Sequence, residues 1–237
     1  MPNVLSAIWR EGRAAQRLTE QYKPDLIISD SRFGFRSSQV RSVVITHQLT
    51  LQSSSRLLGA AMNAVNARLL NAFDECWIPD DPQLNLSGQL STNPRITNQR
   101  HIGILSRMKK RSSIHQRYDL CIILSGPEPA RTRLEAKLVK LYGQEPLSVC
   151  LIRGTARPRL TALPEHWTVM DRADSAEVNE ALLSSARVIS RSGYSSIMDY
   201  VQLGIAAELI PTPGQTEQEY LAEHLEGKWG MQKWMGI

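Results

Sequence analysis

The sequence predicts an α/β protein built on parallel sheets with helices on both faces. Three observations carry this. Short apolar runs alternate with amphipathic helical stretches along nearly the whole chain. The runs are too uniformly apolar for strands with one wet face, the pattern expected of parallel strands buried on both sides. Most of them end at Gly, Ser or charged residues, which suits loops along one rim of such a sheet.

The elements follow in order. Residues 4–22 read as a helix with Val4, Ile8, Ala15, Leu18 and Tyr22 near one face, stopped by Lys23-Pro24. A strand at 25–30 has a polar end and leads into the loop Arg32-Phe33-Gly34-Phe35-Arg36-Ser37. A second strand at 43–46 ends at His47-Gln48. Residues 57–73 read as a helix packing through Leu58, Met62, Val65, Leu69 and Phe73, with Asn63, Asn66 and Arg68 on the polar side. Residues 76–80 read as a strand, and the adjacent Asp80-Asp81 as a turn.

From 81 to 113 the periodicity fades. Asp81-Pro82, Asn93-Pro94 and Ser112-Ser113 punctuate this stretch, and Arg107, Lys109, Lys110, Arg111 and Arg117 form a basic run with no acid inside it. The expected organisation is therefore a first domain at 1–93, a connection at 94–115 and a second domain at 116–237. Within the second, strands are expected at 120–124, 147–152 and 167–170 and helices at 130–142 and 176–186. Pro129 suits a first helical position.

The densest signal lies at 187–225. Val188-Ile189 close an apolar run, Arg191-Ser192-Gly193 reads as a turn, and 194–203 reads as a helix stopped by Gly204. A strand at 206–210 closes at Pro211, and a polar loop leads to a helix at 217–225. Ser192-Gly193 and the loop at 212–218 both follow strands, so both belong at the ligand-binding rim. A helix start offers N–H groups and a positive dipole end to an anion. Gly193 permits close approach, Ser195 and Ser196 add hydroxyls, and Asp199 lies one turn on, where a carboxylate accepts from ribose hydroxyls. The set suits a nucleoside diphosphate, with Gln215 and Gln218 in reach of an attached sugar. The competing reading is an ordinary strand–helix–strand unit with a serine-rich helix start.

Composition narrows the class. A hydrophobic fraction of 42% with 22% charged residues is that of a globular chain rather than a disordered one. The net charge of +5 suits anionic substrates or an anionic membrane surface. Aromatics at 6%, with no basic–aromatic interleaving, argue against nucleic acid as partner. Cys76, Cys121 and Cys150 are scattered and odd in number, so neither a disulfide framework nor a zinc site is expected. No Asp-x-Asp pair points to a bound metal, and no cofactor is implied. No apolar run reaches the length of a membrane span.

The segment RSGYSSIMDYVQLGIAAELIPTPGQTEQEYLA resembles the donor-binding segment of family 28 glycosyltransferases, the group that includes the N-acetylglucosaminyltransferase of peptidoglycan synthesis. The matching features are Arg191-Ser192-Gly193, Asp199 where the family more often has glutamate, Pro211, and Gln215 with Gln218. SDSRFGFRS and ITHQL resemble an uncharacterised bacterial branch of glycosyltransferases. The resemblance implies the GT-B architecture, two Rossmann-like domains. It also implies transfer of a hexosyl group from a UDP-sugar, with inversion, to a glycan or lipid-linked acceptor. It gives Ser125-Gly126 the first turn of the nucleotide domain, Arg153 a place near the phosphates and Met170 a place near the base. The family has a His-Glu-Gln element after the strand corresponding to 43–46, a partial match that puts His47 and Gln48 on the acceptor side; Arg32, Arg36 and Arg41 form a basic group that reads either as a solvated rim or as contacts to a phosphate on the acceptor.

The family's opening Gly-rich loop with its histidine base is not found in this sequence. The first domain is therefore expected to be incomplete, by truncation or as a shortened paralogue, and the chain to have weak or no turnover. His47 is the remaining candidate base. A nucleotide-sugar epimerase of the same architecture and a non-catalytic UDP-binding module are the alternatives. The expected location is the cytoplasm or the inner face of the cell membrane, with peripheral membrane contact.

Overall fold

The computed structural model describes residues 2–53, 55–112, 114–158 and 162–236. The side chain of Val4 and residue Ser113, both used above, lie outside the described residues. The chain forms two compact units, Met1–Leu105 and Ser106–Ile237.

The first unit opens with α1 (Pro2–Tyr22) and carries β1 (Leu26–Asp30), β2 (Arg41–Ile45), α2 (Arg56–Leu70), β3 (Glu75–Ile78) and β4 (Gln99–His101). The four strands lie side by side in the order β1-β2-β3-β4, all parallel. Val44, Leu49, Ala67, Leu70, Phe73, Cys76, Ile78 and Ile96 make its core.

Both helices present a different face from the one the apolar spacing suggests. On α1 the buried positions among the described side chains are Ala15, as expected, and Thr19, while Leu18 and Tyr22 are exposed. Gly34 explains the close seat of this helix. A Cβ there would lie 2.1 Å from the carbonyl oxygen of Ile8, so only glycine fits. On α2 Leu58 and Val65 are exposed, and the buried residues are Gly59, Asn66, Ala67 and Leu70. The two asparagines read as solvent-facing explain the rotation. Asn66 Nδ2 donates to the carbonyls of Gln48 and Leu49 at 3.0 Å each. Asn63 brackets Leu51, accepting from its N–H at 2.7 Å and donating to its carbonyl at 3.1 Å. A buried loop backbone needs partners, and these amides supply them.

The second unit carries β5 (Tyr118–Ile123), α3 (Ala130–Tyr142), β6 (Val149–Ile152), β7 (Thr168–Met170), α4 (Ser175–Leu183), β8 (Ser185–Arg191), α5 (Tyr194–Leu203), β9 (Ala207–Ile210), α6 (Thr216–His224) and β10 (Met231–Lys233). The six strands are parallel in the order β10-β9-β8-β5-β6-β7. Two halves thus diverge from β5, the strand order of a doubly wound nucleotide-binding sheet. Leu120, Ile122, Leu124, Leu134, Leu138, Leu151 and Ile189 centre the core.

Strand β10 lies in a stretch with no strand pattern of its own. It is a short edge strand whose Gln232 and Lys233 are exposed, so only Met231 carries an apolar signal. Strand β8 runs on through Arg191, which therefore belongs to the sheet and not to the turn. Pro129 is the N-cap of α3, one position earlier than expected. Residues 94–115, read as a connection, divide between the units. Residues 99–101 are β4, and from Ser106 onward the chain is tied to the second unit by Ser106–Asp199 and Lys109–Asn179 hydrogen bonds. Among the described residues no helix is long and apolar enough to cross a membrane.

Candidate functional site

Strands β5 and β8 are neighbours whose chains leave in opposite directions, β5 toward β6 and β8 toward β9. Their carboxyl ends bound the crevice where such sheets bind ligands. Ser125-Gly126 follows β5, Ser192-Gly193 follows β8, and the loop 212–218 follows β9. The fold therefore brings these three segments to one rim.

The turn after β5 depends on Gly126, whose φ of 92° favours glycine. A Cβ at Gly126 would sit 3.7 Å from the hydroxyl of Thr212, so the first and third segments are adjacent. Thr212 is buried, and among the described residues its Oγ1 has no hydrogen-bond partner. A threonine between two prolines reads as loop, and only the packing shows its hydroxyl held dry beside Gly126.

The second segment is the start of α5. Gly193 is its N-cap and no side chain caps it, so the anion-attracting end of the helix is not filled from within. A Cβ at Gly193 would meet nothing within 4 Å, so space lies in front of it. Ser195 is exposed and Ser196 half-buried. Ser192 takes no such open position. It is fully buried, and its hydroxyl donates to the carbonyl of Gln218 at 2.8 Å. Gln218 Oε1 accepts from the N–H of Thr212 at 2.9 Å, and Glu219 accepts from the N–H of Gly214 at 2.8 Å. Ser192 and Gln218 thus shape the loop rather than extend from it. Gln215 is the N-cap of α6, half-buried at the loop's end.

Asp199 lies one turn into α5. Burial pushes its carboxyl above the usual range, partly offset by the hydroxyl of Ser106 and the charge of Arg107. Ser106 donates to Oδ1 at 2.6 Å. This partner is 93 positions away in sequence, and no local pattern reveals it.

Two arginines expected among the donor contacts are placed otherwise. Arg153 is 1% exposed and its guanidinium is surrounded. It donates to Glu135 at 2.9 and 3.2 Å, to Asp171 at 2.6 Å and to the carbonyl of Arg157 at 3.2 Å. Burial draws its pKa down, and the Glu135 and Asp171 carboxylates more than offset this. Glu135 also accepts from Arg131 at 3.0 Å. Glu135 sits on the inward face of α3, so the Arg153 guanidinium is held in an internal ion network behind the strand end. Arg191 is 4% exposed and donates to the carbonyls of Pro211 and Ala130 at 3.0 and 3.1 Å. Ala130 opens α3, so Arg191 points to the α3 side of the sheet. Met170 ends β7, two strands from β5 and about 10 Å across the sheet.

In the first unit the strand ends hold the other expected residues. His47 and Gln48 follow β2 and are half-buried, with Gln48 N–H donating to Thr46 Oγ1 at 3.1 Å. Arg32 is paired rather than free, at 3.0 Å from Glu11, which also accepts from the N–H of Gly34. Arg36 is exposed. Asp80 is an internal organiser of its turn, accepting from the N–H groups of Asp81, Leu86 and Ser87. The basic run is likewise tied down in part, with Arg111 at 2.8 Å from Glu180 on α4.

No family model and no curated protein matches the sequence. The fold has clear relatives among solved structures. The glycosyltransferase of kitacinnamycin superposes with a TM-score of 0.66 over 98% of this chain and 68% of that one, at 13% identity. The spinosyn rhamnosyltransferase SpnG, complexed with thymidine diphosphate, gives 0.61 over 94% and 64%, at 16% identity. SnogD from Streptomyces nogalater gives 0.59 over 91% and 64%, at 15% identity. The chain spans about two thirds of the length of these glycosyltransferases. Its architecture is therefore that of the GT-B glycosyltransferases, an α/β fold of Rossmann-like units.

Proposed function

We propose that the protein is a glycosyltransferase whose second unit binds a UDP-sugar donor, related to family 28, and that the transfer is of a hexosyl group with inversion. The uncapped start of α5, at the point where the sheet's two halves diverge, carries the reading. Two chemical demands of a nucleotide sugar find counterparts there. The diphosphate needs N–H donors and positive potential, which the start of α5 offers behind the open space at Gly193. The ribose needs a carboxylate acceptor, and Asp199 keeps one oxygen beyond its bond to Ser106. A hydroxyl without a partner among the described residues, that of Thr212, lies beside the Gly126 turn. SpnG, complexed with thymidine diphosphate, and a Phytolacca americana enzyme complexed with UDP-2fluoro-glucose support a pyrimidine nucleotide as the ligand class.

In this reading Ser125, Gly126, Gly193, Ser195, Ser196, Asp199 and Gln215 touch the donor. Ser192 and Gln218 position the loop. Arg153 and Arg191 act from behind the rim. The acceptor belongs to the first unit, with His47 as the base that takes the proton of the attacking hydroxyl. The leaving diphosphate is stabilised by the helix start without a metal.

Calorimetric titration with UDP, thymidine diphosphate, ADP and UDP-N-acetylglucosamine tests the donor site. The expected result is pyrimidine diphosphate binding stronger than ADP binding, weakened by about 1–3 kcal/mol in Asp199→Ala, the loss of a charged hydrogen bond. A folded chain that binds none of these overturns the reading. His47→Gln should leave UDP affinity unchanged and remove turnover.

A further inference from the structure

We propose that the groove between α3 and the carboxyl ends of β8 and β9 is a second binding site, for a small anion with an apolar body such as an alkyl phosphate or fatty carboxylate. It borders the rim where the nucleotide is placed, sharing the Pro211–Pro213 stretch with it, but is argued from its own charges and does not depend on that assignment.

The groove encloses about 330 Å³ in the second unit. Leu134, Ile210, Pro211, Pro213 and Trp234 supply apolar walls, and the only charged residues lining it are Arg133, Lys137 and Arg191. Among the described lining residues there are three cations and no carboxylate. Arg133 and Lys137 are exposed and lie one turn apart on α3, a like-charge spacing that is mildly unfavourable by itself. Lys137 Nζ sits 4.6 Å over the ring of Trp234, which holds it at the groove.

Arg191 gives the stronger argument. It is 4% exposed, yet among the described residues no carboxylate pairs with it. Its terminal nitrogens reach only carbonyls, and Nε has no partner. Burial without a counter-charge draws its pKa below the ordinary arginine value. A buried cation is normally paired, and leaving it unpaired is unfavourable. Arg153, two strands away in the same sheet, is as buried and has two carboxylates. The contrast marks Arg191 as lacking an anion that the chain itself does not supply. A phosphate or carboxylate oxygen fits a guanidinium Nε donor, and the exposed pair on α3 would hold the rest of the charge. The apolar walls and the indole would cover a short hydrocarbon or ring.

The test titrates hexyl phosphate and inorganic phosphate into the chain and into the double variant Arg133→Gln/Lys137→Gln, followed by calorimetry. Both positions are exposed, so the variant should fold, and its circular dichroism spectrum and thermal melt serve as control. Saturable binding of hexyl phosphate at one site is expected. It should be at least tenfold tighter than inorganic phosphate and weakened at least tenfold in the variant. Vesicles containing phosphatidylglycerol distinguish the source of the head group. Sedimentation with vesicles that the double variant abolishes would show that a lipid can present it. No saturation by hexyl phosphate, or equal binding by the variant, overturns the proposal. Displacement of hexyl phosphate by UDP overturns the separateness of the two sites.

Discussion

Ser192 Oγ donates to the main-chain carbonyl of Gln218 across 2.8 Å, fastening the turn after β8 to the first turn of α6. Gln218 returns the connection through its side chain, which accepts from the N–H of Thr212. Two of the three segments at the rim are thereby one hydrogen-bonded unit. Ser192→Ala removes the link without adding bulk, and Ser192 is fully buried. The expected loss is about 1 kcal/mol of stability, the net worth of one such bond. Urea unfolding followed by circular dichroism measures it. On the proposed function, nucleotide affinity falls as well, because the loop carrying Gln215 is no longer fixed. An unchanged urea midpoint would mean that the link is weak in solution.

Glu135 is the hub of the second unit's internal charges. Its two oxygens accept from Arg131 and Arg153, and all three side chains are nearly fully buried. Glu135→Ala leaves two buried guanidinium groups with fewer partners. Breaking a buried pair from one side costs about 3–5 kcal/mol. The midpoint of thermal unfolding should therefore fall by roughly 10–20 °C for a unit of this size. Replacing Glu135 and Arg153 together with Leu and Met should recover much of that loss, since a well-packed apolar pair can match a buried ion pair. A double variant as unstable as the single one would show that Arg153 is needed for Asp171 and the 157 backbone as much as for Glu135.

These two relationships also show where sequence reading works and where it stops. The strand–helix alternation, the Gly204 stop and the helix at 130–142 are legible because they depend on local periodicity and glycine chemistry. Gly204 indeed sits in the left-handed region at φ 72°. The orientation of α2 is not legible, because Asn63 and Asn66 turn it toward a loop that periodicity does not see. Arg153 and Arg191 look alike at strand ends, yet one is paired by Glu135 and the other faces a groove. Which acid meets which arginine is decided by the packing of α3 on the sheet. Ser106 and Thr212 escape for the same reason, since each gains its meaning from a residue distant in sequence.

Glu128 gives a prediction about acid. Its carboxylate accepts from the hydroxyl and N–H of Thr132 and from Arg131, closing the start of α3 where Pro129 offers no side-chain cap. The Thr132 and Arg131 bonds hold its pKa at about 2. A depressed carboxyl contributes stability that is fully present above its unfolded value of about 4.3 and is lost as pH falls toward 2. Glu128→Gln should therefore be less stable than the parent at pH 7, with the difference shrinking between pH 4.5 and about 2. Thermal melts of both proteins across that window measure the convergence. Parallel curves down to pH 2 would show that the carboxylate is not paired in solution.

Asp199 carries the opposite sign. Burial raises its pKa, with Ser106 and Arg107 offsetting only part of the effect. A raised carboxyl is favoured by the fold in its protonated form. Its contribution is fully present below the unfolded value of about 3.9 and declines as pH rises through the folded value. At neutral pH the ionised Asp199 is thus a liability to the fold. Asp199→Asn keeps the shape and an acceptor for Ser106 while removing the charge. The variant should melt at a higher temperature than the parent at pH 7–8, and the advantage should vanish near pH 4. The same variant should bind UDP more weakly, because a neutral amide is a poorer acceptor for ribose hydroxyls than a carboxylate. Gain of stability with loss of affinity is the signature of a charge kept for a ligand. Gain of stability with unchanged affinity would remove Asp199 from the donor site. Loss of both would mean that its ionised form is needed to hold Ser106 and the start of the unit.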